Sequence, residues 1–147
     1  GMKVTALGVD RHRAAAPLAT SRGVPTAVAD AFALPFATGS VDLVLVSQVA
    51  HHFSPEGVVA LARECSRVAR IGVVIADLRH SKLAQVGFEI GARLLRFDRV
   101  TRVDGITSLA RGFDPPGLGR LLASAGIRPD VSTHPGARIV ATWSVSR

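Results

Sequence analysis

Three aspartates, Asp10, Asp30 and Asp77, each close a short apolar run, and Ser47-Gln48 and His51-His52 close a fourth. An ionised carboxylate only accepts hydrogen bonds, so it can take two hydroxyl or amino donors at once. Asp10 suits that work, or the capping of a helix. Asp30 suits it equally, or the opening of a turn. Polar residues after so apolar a run as Val41–Val46 lie at a ligand-facing rim, or simply end a strand, and both readings of Ser47 and Gln48 stand. Imidazole titrates near neutrality and can take a proton from an oxygen or nitrogen nucleophile. His51 and His52 are the candidates for that base, with a packing or helix-entry role as the plainer alternative. No Cys or carboxylate stands near them at zinc-ligand spacing, so no metal is expected.

The elements that must hold these residues follow from patterning. Residues 3–9 read as a strand ending at Asp10, 14–22 as a helix stopped by Gly23, and 26–29 as a short strand ending at Asp30. Val41 to Ser47 is an apolar, β-branched strand of the kind that parallel sheets cover on both faces. Ser54-Pro55-Glu56 starts a helix with a capping hydroxyl, a first-turn proline and a carboxylate at the positive end. That helix runs to about Ala69, with Val58, Leu61, Ala62, Cys65 and Val68 on its buried stripe.

A strand over 72–76 ends at Asp77, and residues 81 to about 97 read as one long helix. Asp114-Pro115-Pro116 starts another, closed by Gly126. Strands over 128–133 and 138–146 flank the turn His134-Pro135-Gly136. The order β-α-β-β-α-β-α-α-β-β predicts an α/β fold with a mostly parallel sheet. Open sheets of this kind bind ligands outside the carboxyl ends of their strands, where the polar groups named above cluster.

Size and charge narrow the classes. A chain of 147 residues, 48% hydrophobic and 20% charged, reads as one domain spanning 1–147. No apolar run approaches the ~20 residues of a membrane span, and no charged-then-apolar leader opens the chain. A single cysteine excludes an internal disulfide framework, so a cytoplasmic setting is expected. The net charge of +7 is nearly all arginine, spread along the chain. Its one concentration, Arg93, Arg96, Arg99 and Arg102, has the spacing of a single helix face and reads as a solvated stripe. With no tyrosine and no aromatic stacking set beside it, nucleic acid is not the expected partner.

The run Asp30-Ala-Phe-Ala-Leu-Pro-Phe36, the strand Val41–Ser47 and His51-His52 together resemble the middle of Rossmann-like, class I S-adenosylmethionine-dependent methyltransferases of small-molecule type. The resemblance covers the chain from Lys3 onward. It implies an antiparallel last strand inserted beside the strand ending at Asp77. It implies S-adenosylmethionine as cofactor, with Asp10 and its neighbour Arg11 at the ribose, Asp30 and the Ala31 N–H at the adenine, and Ser47 and Gln48 at the methionine end. His51 and His52 then stand near the point of methyl transfer.

The family's first strand, its glycine-rich loop and the helix after it have no counterpart here, a difference of about 30 residues or one βα unit. The domain is therefore read as truncated, with its first βα unit missing. Two consequences are expected. The cofactor's methionine portion loses a backbone cradle. The second and fourth family strands either pair directly or recruit a strand from another chain, giving a homodimer by strand exchange. Two functions stay open: a methyltransferase of a small molecule, or a non-catalytic methyltransferase-like binding or dimerisation module. A nucleic-acid modifier drawing on the positive charge ranks last.

Overall fold

The computed structural model describes residues 4–14, 17 and 20–145. The helix expected over 14–22 falls in part, and the strand ends Lys3 and Ser146 fall wholly, outside the described residues.

Strands β1 (Gly8–Asp10) and β2 (Thr26–Val28) pair in parallel, with Asp10 opposite Val28. Strands β3 (Val41–Ser47) and β4 (Ala69–Leu78) form a second parallel pair, in which Ser47 stands opposite Ala76. The chain closes with a hairpin of β5 (Asp130–His134) and β6 (Arg138–Ser144). Its turn places Gly136 at φ +76 and Ala137 at φ +55, the left-handed region that suits tight hairpin turns. β6 inserts antiparallel between β4 and β5, so the larger sheet runs β3-β4-β6-β5. This is the α/β architecture and the antiparallel last strand that the sequence predicts.

Helix α1 (Pro55–Val68) begins where its signals place it: Ser54 Oγ accepts the Gly57 N–H at 3.2 Å, and Pro55 fills the first turn. Its buried residues are Val58, Leu61, Ala62, Cys65 and Val68. Helix α2 (Lys82–Leu94) and helix α3 (Arg99–Ala110) pack against each other. Helix α4 (Pro115–Ser124) is capped by Asp114, which accepts the Gly117 N–H at 2.8 Å, and Gly126 turns the chain out at φ +84. Leu61 and Cys65 of α1 and Leu118 and Leu122 of α4 pack with Val73, Ile75, Ile139 and Ala141 of the central strands. Burying a side chain such as Ile75 contributes about 1.5–3 kcal/mol. The Trp143 indole N–H reaches Ser66 Oγ at 3.0 Å, satisfying the polar tip of a buried ring.

Three expectations are corrected. The single helix over 81–97 is two: Arg96 adopts φ +55, and Asp98 caps a new helix by accepting the Thr101 N–H at 3.0 Å. The arginine stripe is thereby split, Arg93 ending α2, Arg96 in the turn, and Arg99 and Arg102 on α3. β3 is covered on one face only. Val46 enters the core, whereas Leu43 and Leu45 are 61% and 68% exposed. The physical reason is that, among the described residues, β3 pairs only with β4, and the face carrying Leu43 and Leu45 has no helix against it. Nor do β1 and β3 pair directly; they belong to separate sheets.

Two glycines set the α2–α3 pair over the end of β4. A Cβ on Gly105 would lie 2.3 Å from the Phe88 ring, so only glycine lets α3 approach α2 there. A Cβ on Gly112 would lie within 2.8 Å of backbone atoms of residues 78–80. That close approach lets Phe113 exchange hydrogen bonds with Leu78 and His80, at 2.9 Å each.

Candidate active site

Parallel β1 and β2 bring Asp10 and Asp30 to the same sheet end, joined by the Ala29 N–H donating to the Asp10 carbonyl at 3.1 Å. Each carboxylate closes its own turn: Asp10 Oδ1 accepts the His12 N–H at 2.7 Å, and Asp30 Oδ1 accepts the Phe32 N–H at 2.9 Å. Each thus uses one oxygen and presents the other outward. Ala31 packs against the core and leaves its N–H without a partner among the described residues. Arg11 is exposed, its Nε 3.4 Å from His12 Nε2.

At the end of β3, Ser47 is exposed and Gln48 adopts φ +53, its N–H donating to the Ala76 carbonyl at 2.9 Å. A left-handed non-glycine residue costs about 1–3 kcal/mol and recurs where a ligand must be met. After Gln48, residues Ala50–His52 make a single tight turn that drives His51 inward. His51 is 6% exposed and Asp77, at the end of β4, is fully buried.

The two side chains form a dyad. His51 Nδ1 lies 2.6 Å from Asp77 Oδ1, and the His51 backbone N–H donates to Asp77 Oδ2 at 3.2 Å. The Leu78 N–H also donates to Oδ1, at 2.6 Å. Two backbone N–H groups already donate to this carboxylate, and an ionised carboxylate only accepts, so its pairing with Nδ1 selects the tautomer with the hydrogen on Nδ1 and the lone pair on Nε2. Nε2 is enclosed and has no hydrogen-bond partner. The His52 ring lies 4.0 Å from that of His51, tilted by 39°. Partial burial, then the electrostatic influence of His51 and Arg111 beside it, hold the His52 pKa below the ordinary 6.5.

Beside the dyad lies a cavity of about 910 Å³. The segment after β3 contributes Gln48, His51 and His52 to it, the ends of β4 and β6 contribute Arg79 and Arg138, and the helix pair contributes Phe88 and Asp104. It brings together three of the eight residues singled out in the sequence. Asp10, Arg11, Asp30, Ala31 and Ser47 lie outside its wall. The pairing of Asp77 with His51 was missed, as were Arg138 and Asp104. The available signal was a carboxylate closing one apolar strand and a histidine just past another. His80 is held structurally, Nδ1 3.0 Å from the Ala110 carbonyl. Among the described residues no three His, Cys, Asp or Glu side chains converge as metal ligands. Among the described residues no helix is long and apolar enough to cross a membrane.

Comparison with known proteins places this geometry. Residues 2–76 match the family model of the methyltransferase domain. No curated protein matches the chain. Among solved structures, an S-adenosylmethionine-dependent methyltransferase of Aquifex aeolicus superposes with a TM-score of 0.69 at 15% identity, over 99% of this chain and 71% of that one. One from Thermotoga maritima superposes with a TM-score of 0.68 at 17% identity, over 96% and 73%. The magnesium protoporphyrin IX methyltransferase of Synechocystis, solved with bound S-adenosylhomocysteine, gives 0.64 at 13% identity, over 97% and 65%.

Proposed function

The chain belongs to the methyltransferase-domain family, and from that premise we propose that it holds S-adenosylmethionine at the ends of β1–β3 and methylates a small molecule in the adjoining cavity. The cofactor supplies a methyl group activated on a sulfonium. The residues present fit its adenosine half: Asp10 with Arg11 at the ribose, Asp30 and the unpartnered Ala31 N–H at the adenine. Ser47 and Gln48 face the methionine end, where the strained backbone of Gln48 supports a ligand contact.

The observation that carries the reading is His51 at the cavity wall, its Nδ1 on Asp77 and its Nε2 without a partner among the described residues. Asp77 fixes the ring's tautomer and orientation, and His51 takes the proton from a substrate hydroxyl or amine. His52, kept neutral to lower pH by its surroundings, lines the same wall without adding charge. Holding nucleophile and base side by side in one pocket supplies much of the rate. The lone, buried Cys65 suits a reducing, cytoplasmic setting.

Titration calorimetry with S-adenosylhomocysteine tests this. Saturable binding, weakened by Asp10→Ala and by Asp30→Ala, is the expected result. No heat at millimolar ligand would overturn the cofactor reading.

A second reading, a methyltransferase-like binding or dimerisation module, draws on the open edge of β3 and on exposed Leu43 and Leu45. An exposed apolar edge strand invites pairing with a second copy. Sedimentation that shows a dimer, dissociated by Leu45→Lys, supports a homodimer through that edge. A monomer at every concentration removes it.

A further inference from the structure

We propose that the substrate is an acid: an apolar, ring-sized body that carries a hydroxyl to be methylated and an anionic group held by Arg79 and Arg138. The inference rests on the methyltransferase reading of the same cavity and adds the substrate's chemical class.

Arg138 stands opposite Leu78 in the β4–β6 ladder, and the Arg79 N–H donates to the Ala137 carbonyl at 2.7 Å. Both arginines line the cavity, each at the end of one of these neighbouring strands. Among the described residues neither guanidinium makes an ion pair or a side-chain hydrogen bond. Arg79 Nε is moreover enclosed with no partner. Buried donors are nearly always satisfied, so the enclosed Nε marks Arg79 as a guanidinium whose hydrogen bonds the described residues do not supply.

Two like charges on adjacent strand ends repel, and a shared anion removes that repulsion while taking charge-assisted, bidentate bonds from a planar guanidinium. Asp104 is the one carboxylate on the wall among the described residues, and it pairs with neither arginine. Leu78, Leu83, Phe88 and Leu109 give the wall an apolar stretch that suits a ring, beside the hydroxyls of Ser81, Thr101 and Ser108. His51 Nε2, on the same wall, requires the body to carry a proton-bearing nucleophile.

The probe pair is 4-hydroxybenzoate and its neutral isostere 4-hydroxybenzamide, titrated calorimetrically into the protein with and without S-adenosylhomocysteine. The acid is expected to bind about 10-fold or more tightly than the amide. Arg79→Gln and Arg138→Gln should each erase that preference, leaving the amide and S-adenosylhomocysteine affinities unchanged. Equal binding of acid and amide, or no binding of either, overturns the proposal. So does a loss of S-adenosylhomocysteine affinity in the two variants, which would assign the arginines to the cofactor's own carboxylate. Acid preference without any S-adenosylhomocysteine binding would keep the anion site and sink the methyltransferase reading instead.

Discussion

Asp77 Oδ1 lies 2.6 Å from His51 Nδ1, and this contact between residues 26 apart joins the ends of two parallel strands. It rests on register: with Ser47 opposite Ala76, Asp77 is level with the turn that turns His51 inward. Removing the carboxylate strands two N–H donors of His51 in a buried place. Asp77→Ala should therefore cost about 1–3 kcal/mol for each stranded donor in urea denaturation.

Asp77→Asn separates position from charge. It keeps the shape but turns one acceptor into a donor facing the imidazole N–H. Once a substrate is in hand, the base reading expects methyl transfer to fall about 10²-fold or more. S-adenosylhomocysteine affinity should stay unchanged. An unchanged rate would leave Asp77 a purely structural partner.

His52 makes the fold sensitive to mild acid. Its pKa lies below the ordinary 6.5, mainly through burial and then through His51 and Arg111. As pH falls through 6.5 the unfolded chain takes up its proton first, so stability declines between 6.5 and the folded value and is flat above. Histidine ring resonances followed by NMR should show His52 titrating below 6.5. His52→Gln should remove its share of the decline.

Cys65 is buried in α1, and burial pushes its thiol up to about 12. Only the thiolate reacts, so the native protein at pH 8 should resist a disulfide reagent that modifies it fully in urea. The rate of labelling then reports opening of the α1 core. Rapid labelling of native protein would contradict the packing of α1 on the sheet.

Legibility in the sequence followed the range of the interaction. The start of helix α1 was readable to the residue because Ser54, Pro55 and the stripe from Val58 to Val68 act within a few turns. The break between α2 and α3 was masked by an arginine and apolar rhythm that runs through Leu95, Arg96 and Phe97. Its local signal, Asp98 three residues before Thr101, is a capping pair. The open face of β3 was illegible, since an apolar run states a preference for cover and not whether cover is supplied. Asp10, Asp30 and His51 were each visible as chemistry-bearing residues at strand ends. Which of them share a cavity depends on strand register and on the close approaches at Gly105 and Gly112, and these lie between distant parts of the chain.

The loop that follows Asp30 is tied to α1 by a second pair, and this links the core to the adenine end. Glu64 Oε1 accepts the Leu34 N–H at 2.7 Å. Arg67, bound to Glu64 at 2.7 Å, donates to the Leu34 and Phe36 carbonyls at 3.1 and 2.9 Å. The hydrogen bond from Arg67 is the main cause that holds the Glu64 carboxyl below its ordinary 4.5. A depressed carboxylate stabilises the fold fully above 4.5, and that contribution fades as pH falls through the folded value. Glu64→Ala should speed hydrogen exchange at Leu34 and flatten the loss of stability below pH 4.5. Because the same loop carries Ala31 and presents Asp30, the variant should also weaken S-adenosylhomocysteine, with no change in the His52 titration. Faster exchange at Leu34 with an unaltered ligand affinity would separate the loop from the cofactor site.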